Sequence, residues 1–461
     1  MSTQIANRSS NRTQAAQARW SEIISQLSFA DEPAWLQTRR ETARAAFERA
    51  GFPTTRDEEW KYLDPTPLAN IVLADDFQSV GQSVGQAHEE KQDGKEVSGV
   101  EPFLFDAETC CRLVFVNGEY SKELSCICDI PEGMIAKPIS EILRTRPELL
   151  EKHLAAQADV ETNAFVALNT ATFQDGVFVQ IADEAVCTRP LQLLFVTTAE
   201  AGPRVVAPRV LIIAGASSEA TIVESYASPH HDLYLTNAVT EVVLGPNAKI
   251  DHYKKQGESE NALHVATMQV LTSRDAKFFS HAFAFGSRIA RSDANAVMGG
   301  ENSEVTLNGL YLGRGEQIID NHTSMDHAVP HCRSYEIYSG ILDGQSRGVF
   351  NGKIFVRLDA QKTDAKQTNR ALLLSREAEI DTKPQLEIFA DDVKCTHGAT
   401  IGQLDEKALF YLRARGIAEE DARDILIAAF ASDILNNVKV EALRARLQKE
   451  LLARLRRTID D

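Results

Sequence analysis

The sequence predicts a mainly β chain with helical ends, its strands either wound as a solenoid or stacked as a sandwich. From about Phe165 to Ile388, Val, Ile, Phe, Thr and Tyr dominate short runs broken by Gly, Asn, Asp and Ser, with no long helical pattern between them. A Rossmann fold or an α/β barrel needs those helices and is excluded. A triplet of small, polar and apolar residues also recurs, as Ala220-Thr221-Ile222, Ala248-Lys249-Ile250, Ala276-Lys277-Phe278 and Ser303-Glu304-Val305, at steps of 28, 28 and 27 residues. Ala378-Glu379-Ile380 repeats the form after a stretch in which the register is lost. A near-constant step without helices is what solenoid coils give, each burying its apolar face on its neighbours; accidental spacing within a sandwich is the alternative. The two ends, finally, read as helices.

In chain order, residues 14–50 are helical: Trp20, Ile23, Ile24 and Leu27 recur at helical spacing, and the run after Pro33 is rich in strong helix formers. The segment RDEEWKYLDPTPL follows, with Trp60 and Tyr62 among charges and prolines, and reads as an aromatic anchor onto the main body. Residues 79–99 lack apolar periodicity and read as a linker or surface loop. In CRLVFVNGEY, Asn117-Gly118 signals a hairpin, and residues 139–160 return to helix. After Gly402 the chain is helical to its end. One helix closes on Gly416, a second over 419–438 carries Ala422, Ile425, Leu426, Ala429, Phe430 and Ile434 as one stripe, and Val440, Leu443, Leu447, Leu451 and Leu455 form another. The expected divisions are a helical and mixed region 1–160, a β core 161–402 and a helical region 403–461.

The totals narrow the function. A chain of 461 residues, 43% hydrophobic, can bury a sizeable core, and its net charge of −17 argues against a nucleic-acid surface or a polybasic membrane patch. Seven scattered cysteines without a CxxC pair fit reduced thiols in a cytosol, and no apolar run approaches a membrane span, so a cytoplasmic protein is expected. Nucleotide motifs fail when tested. GVFNGKI has one residue too few between its glycines and Ile354 where Ser or Thr should hold magnesium; Gly313-Arg314-Gly315 meets Ile318 where a third glycine belongs and reads as a turn.

Three groups of potential metal ligands remain. His322, His327 and His331, with Cys332, would suit a metal-dependent β-fold enzyme, but spacings of five and four fit neither strand alternation nor one helix face, so a structural or turn role is preferred. Cys126 and Cys128 lack a second pair to complete four ligands and read as surface thiols. Cys395 and His397 stand two apart in a β-like run, where alternation puts both on one face with Thr396 on the other. Thiolate and imidazole suit iron or an iron–sulfur species, yet two ligands are too few to hold a cluster alone; a buried thiol and a core histidine are the structural alternative.

The runs GKIFV, AQKTDAKQTNRALLLS, AEIDTKPQLEIFADDVKCTHGATIG and LFYLRARGI, with GFPTTRDEEWKY near the start, resemble the SufB/SufD family, densely over residues 320–436 and diffusely elsewhere. The resemblance implies a right-handed parallel β-helix between helical ends. It also implies a non-enzymatic scaffold in a cytosolic machinery for iron–sulfur cluster assembly. Such a subunit pairs with SufB through the β-helix and docks the ATPase SufC through the C-terminal helices, where Phe410, Tyr411, Ile425, Leu426 and Phe430 are the expected contacts. A homodimer is the other state considered for the isolated chain. Cys395 and His397 match positions implicated at the intersubunit interface, facing a transient cluster or its iron, with no cofactor held tightly by the chain alone. SufB-like chains carry cysteine where this one has Asn369 and a Glu-His-Glu run where it has Thr396-His397-Gly398, so the departures point to the SufD branch. The reading from another class is a metal-dependent β-helical enzyme using His322, His327 and His331.

Overall fold

The computed structural model describes residues 2–74, 99–106, 108–127, 130–198 and 202–457. The stretch expected to be a linker lies outside the described residues, apart from Gly99, and so does Cys128. Helices α1 (Ser2–Gln26) and α2 (Ala34–Ala50) open the chain. Strands β1 (Cys111–Val116), β2 (Glu119–Cys126) and β3 (Met134–Pro138) lead to helix α3 (Ala164–Thr172). The coiled region begins with β4 (Gly176–Ile181), β5 (Leu191–Val196), β6 (Arg204–Val206), β7 (Arg209–Ala214) and β8 (Glu219–Ala227). It continues through β9 (Tyr234–Leu244), β10 (Lys249–Gly257), β11 (Leu263–Thr272), β12 (Lys277–Ala284), β13 (Ile289–Met298) and β14 (Glu304–Gly313). The last coils are β15 (Ile318–His327), β16 (Arg333–Leu342), β17 (Arg347–Val356), β18 (Asp364–Leu373), β19 (Glu379–Ile388) and β20 (Lys394–Gly402). Helices α4 (Glu406–Ala414), α5 (Glu419–Leu435) and α6 (Glu441–Arg457) close the chain.

From β8 onward successive strands alternate between two sheets, and each pairs in parallel with the strand one coil away. Sheet I runs β2-β1-β5-β8-β10-β12-β14-β16-β18-β20, and sheet II runs β19-β17-β15-β13-β11-β9-β7-β4-β3 with β6 beside β9. This is a β-solenoid flanked by helices. The coil is built at its corner. Ser217, Asn247, Asp275, Asn302, His331 and Lys362 all have positive φ, between 57° and 64°, and each precedes a small residue buried at the start of a sheet I strand: Ser218, Ala248, Ala276, Ser303, Cys332 and Thr363. Asn and Asp tolerate that left-handed conformation better than most side chains. The corners also bond to one another, Asn247 Nδ2 donating to Ser217 Oγ at 3.1 Å and Asn302 Nδ2 to Asp275 Oδ1 at 2.7 Å.

This register corrects two of the repeats read from sequence. Ala220 pairs with Ile250, so Ser218, not Ala220, occupies the place of Ala248. Ala378 precedes β19 in sheet II, whereas the missing sheet I repeats begin at Cys332 and Thr363. Polarity hid them, because a corner needs a small residue and accepts Cys or Thr as readily as Ala. The helix α3 was also unforeseen. Its run AFVALNTAT is buried on nearly every side, so it lacks the polar stripe that betrays a surface helix. Asn163 caps it, accepting from Phe165 N and Val166 N.

The hairpin at Asn117-Gly118 forms as expected, with φ of 56° and 88° at the two residues. Its first strand joins sheet I through β5 while β3 joins sheet II through β4, so both sheets extend into the region before residue 160. The outer face of sheet II is covered by Trp20, Phe47, Phe52, Trp60 and Phe165, packed on Leu235, Leu263, Val265 and Ile289. The outer face of sheet I is covered by α5 and α6, with Ile427, Ala431, Ile434, Leu443, Leu447 and Leu451 packed on Val223, Tyr253, Phe283, Leu310 and Ile341. The stripe expected on α5 holds in part: Ala422 and Ile434 are buried and Phe430 packs beside them half-buried, but Ile425 and Ala429 are exposed, and Ile427 and Ala431, outside the expected stripe, face the sheet. That helix packs on α4 as well as on the sheet, so its apolar residues wrap around more than one face.

Candidate functional site at the open end of the solenoid

The last coil carries the pair singled out from sequence. Among the described residues β20 pairs only with β18, and β19 only with β17, so the solenoid ends on two uncovered parallel edges. Cys395 stands beside Ala365, and His397 beside Gln367, both neighbours being buried inward residues of β18. The pair thus lies on one face, at the end of the inward rows, as the alternation predicts. Cys395 is half-buried and packs against the interior cluster, whereas His397 is exposed. Burial raises the Cys395 thiol above its ordinary pKa, with the Asp364 carboxylate adding to the shift. The thiol is thus protonated until a metal or base takes its proton, since only the thiolate binds metal.

The surroundings are apolar at the rim. Leu358, Phe389 and Ile401 are each more than half exposed, and Phe389 packs on Phe355 with ring centroids 5.5 Å apart. Exposed strand edges invite pairing with another chain, and Pro384 within β19 is the kind of residue tolerated only at an edge. A second apolar patch lies on the C-terminal helices: Phe410 and Tyr411 on α4 and Ile425 on α5 are 73%, 59% and 46% exposed. Leu426 and Phe430 stand half-buried beside them.

The three histidines do not come together. His327 points into the solenoid, where Nε2 lies 2.9 Å from Ser334 Oγ and burial lowers its pKa to about 4. His331 occupies a corner. His322 is on the outer face of sheet II, with Nε2 2.9 Å from Asp320 and Nδ1 3.1 Å from Glu59. Among the described residues no group of three or more His, Cys, Asp or Glu is disposed to hold a metal.

His322 instead locks down the segment expected to be an aromatic anchor. Trp60 stacks on Phe165 at 5.2 Å, and the Arg291 guanidinium lies 4.0 Å over the Trp60 ring. Arg291 also donates to the Glu59 carbonyl at 2.7 Å, Asn351 donates to the Glu59 carboxylate at 3.1 Å, and Lys383 on β19 pairs with Glu58. Burial alone would lower the His322 pKa, but the Asp320 and Glu59 carboxylates outweigh it and hold it at about 9. A histidine whose pKa rises on folding contributes stability that is complete below its unfolded value, 6.5, and lost as pH rises through about 9. Thermal unfolding across that window should show the wild type losing stability that His322→Gln does not; parallel curves would contradict the assignment.

The interior holds functional candidates that the sequence reading missed. Glu224 accepts from Tyr226 at 2.7 Å and Thr240 at 2.9 Å, and His252 reaches Ser280 at 2.9 Å. Nearer the open end, Gln367 Nε2 donates to Glu336 Oε2 at 2.8 Å, and Asn369 Nδ2 donates to Thr382 Oγ1 at 2.9 Å. The signal was present as polar residues at alternate positions of otherwise apolar strands, but it needs the inward parity to be known.

A parallel β-solenoid with helices packed on both outer faces and, among the described residues, no strand beyond its last coil places the chain among β-helical proteins. The comparisons with known proteins say which. The family model described as "SUF system FeS cluster assembly, SufBD core domain" matches residues 195–430, and that of the "SufBD protein N-terminal region" matches 22–193. The chain is 33% identical over 410 residues to the iron–sulfur cluster assembly protein SufD of Escherichia coli, covering 88% of this chain and 89% of that one. It is 32% identical over 426 residues to an iron–sulfur cluster assembly SufBD family protein of Synechocystis, covering 91% of each, and 25% identical to SufD of Bacillus subtilis over 434 residues, covering 90% and 93%. The chain belongs to the SufBD family of iron–sulfur cluster assembly proteins. Among the described residues no helix is long and apolar enough to cross a membrane.

Proposed function

We propose that this chain is a non-catalytic scaffold subunit of the SUF machinery that pairs end to end with a SufB-type solenoid and presents Cys395 and His397 to the cluster as it is assembled. The observation that carries the reading is the open end: two uncovered strand edges, an apolar rim, and one soft and one borderline donor on the same inward-facing rows. The donor set fits iron or an iron–sulfur species and is too small to enclose one, so the remaining ligands come from the partner. Asn369 agrees with this division. Where SufB-like chains carry cysteine, its side chain here ties sheet I to sheet II through Thr382 and is not presented to the end. The cluster is cargo, held between the subunits.

The exposed Phe410, Tyr411 and Ile425, with Leu426 and Phe430 beside them, form the surface proposed to dock a SufC-type ATPase. Helix α5 is anchored beneath by Ile427 and Ala431, so the patch is carried on a fixed support. Replacing His397 by Ala should lower cluster formation by the reconstituted complex while leaving subunit assembly intact; an unchanged cluster yield would sink the assignment. A metal-dependent enzyme using His322, His327 and His331 finds no support, because those side chains face outward, inward and a corner.

A further inference from the structure

Beneath the open end, one inward row holds two polar side chains that the scaffold reading does not use. Glu336 on β16 pairs in register with Gln367 on β18, and Gln367 with His397 on β20. The three side chains therefore stand on successive coils about 4.8 Å apart. Glu336 and Gln367 are 1% and 2% exposed. Because Gln367 gives its Nε2 to Glu336, its amide carbonyl is turned away from that carboxyl, and Oε1 is buried with no hydrogen-bond partner. A buried acceptor left unmade is costly, and the next residue in the row is a histidine with N–H to give. The opposing sheet makes room for the amide: Gly352 on β17 faces it, and an added Cβ there would overlap the Gln367 amide nitrogen.

The geometry points to Glu336 and Gln367 as positioning residues for His397: with the imidazole turned inward, one ring N–H donates to Gln367 Oε1, and the other nitrogen is left as a lone pair facing the partner subunit. A hydrogen bond at one ring nitrogen selects the tautomer that frees the other. Glu336 orients the amide from below, and the groups beside it are Leu307 on β14, Thr323 on β15, Gln367 on β18 and, on its own strand, Tyr338. The inference deepens the proposed role of His397 and rests on it only for its purpose, not for its test.

Long-range proton–nitrogen NMR of the metal-free full chain, at about pH 8 where an ordinary imidazole is neutral, reads the tautomer of His397 directly. The wild type should hold one tautomer over the other by about tenfold, the ratio one ordinary hydrogen bond supports. Gln367→Met, which removes the acceptor, and Gly352→Ala, which displaces the amide from the other sheet, should each bring the ratio back to that of an unconstrained histidine, read on the denatured chain. A wild-type ratio equal to that of the denatured chain, or a ratio unchanged in whichever variant folds, overturns the proposal. The readout separates this inference from the assembly role. A single tautomer together with undiminished cluster yield in His397→Ala would keep the positioning row and discard the cargo site, and a mixed tautomer with impaired yield would do the reverse.

Discussion

Replacing Glu336 by Gln is expected to remove a loss of stability that the wild type suffers as pH rises from about 4.5 to about 7, read as the difference between the two proteins so that titration common to both, such as that of His327, cancels. Burial inside the solenoid pushes the Glu336 carboxyl up from 4.5 to about 7, only partly offset by the nearby Thr323 hydroxyl and the hydrogen bond from Gln367. In the unfolded chain the same group ionises near its ordinary value. The folded state therefore holds a proton that the unfolded state releases between these two limits. Its contribution to stability is complete below the unfolded pKa and lost as pH rises through about 7, amounting to about 3 kcal/mol over the window. Denaturant unfolding of the wild type and Glu336→Gln at steps across that range should show diverging midpoints, the variant becoming the relatively stronger protein at the alkaline end. Midpoints that move in parallel would show that Glu336 is ionised and well solvated throughout.

The opposite result is expected for Glu241, where a charge is buried with every partner in place. Arg209 and Glu241 are both 0% exposed and meet at 2.7 Å. Glu241 Oε2 also accepts from Ala155 N at 2.7 Å, and Oε1 accepts from the backbone N–H of Ala156, Gln157 and Ala158 at 2.9, 2.7 and 3.1 Å. Arg209 reaches on to Asn169 Oδ1 and Thr170 Oγ1 in α3, each at 3.0 Å. One ion pair thus fastens the loop before α3, the helix itself and strands β7 and β9. Glu241→Ala strands the arginine and four backbone donors in the interior, and a cost of about 3–5 kcal/mol is expected. Burial works against the Glu241 charge, but Arg209 and the loop N–H groups win and depress its pKa. The stability from this group is therefore present above pH 4.5 and lost as pH falls through the lowered folded value. A loss below about 1 kcal/mol on denaturant unfolding would contradict the account, since that is the scale of an exposed pair.

The contrast explains what could be read from residues alone. The β core between helical ends was legible because strand composition and turn residues are local signals, and the coil length showed from Ala248 through Ala276 to Ser303 but slipped by two residues at Ser218. It vanished at Cys332 and Thr363, where the same steric need is met by other chemistry. Cys395 and His397 were placed on one face by alternation alone, and the ladder agrees. Glu336 and Gln367 were not singled out, because their meaning depends on the pairing of strands some thirty residues apart in sequence. The anchor at Trp60 was foreseen as an aromatic contact, but not the hold of its neighbour Glu59 on His322, which is 263 residues from Glu59. The misread face of α5 has the same origin: an apolar stripe records burial without saying which neighbour buries it.

The central claim is that two separate surfaces, the open end and the α4–α5 patch, join different partners. Co-expression with the cognate SufB-type and SufC-type subunits, followed by the mass and composition of the purified assembly, tests it most directly. The wild type should yield a complex of all three. Phe410→Ser with Tyr411→Ser should lose the ATPase and keep the solenoid partner, and Phe389→Asp with Ile401→Asp should lose the solenoid partner from this chain and keep the ATPase. Retention of both partners by both double variants, or a wild-type chain that purifies without either, would contradict the account.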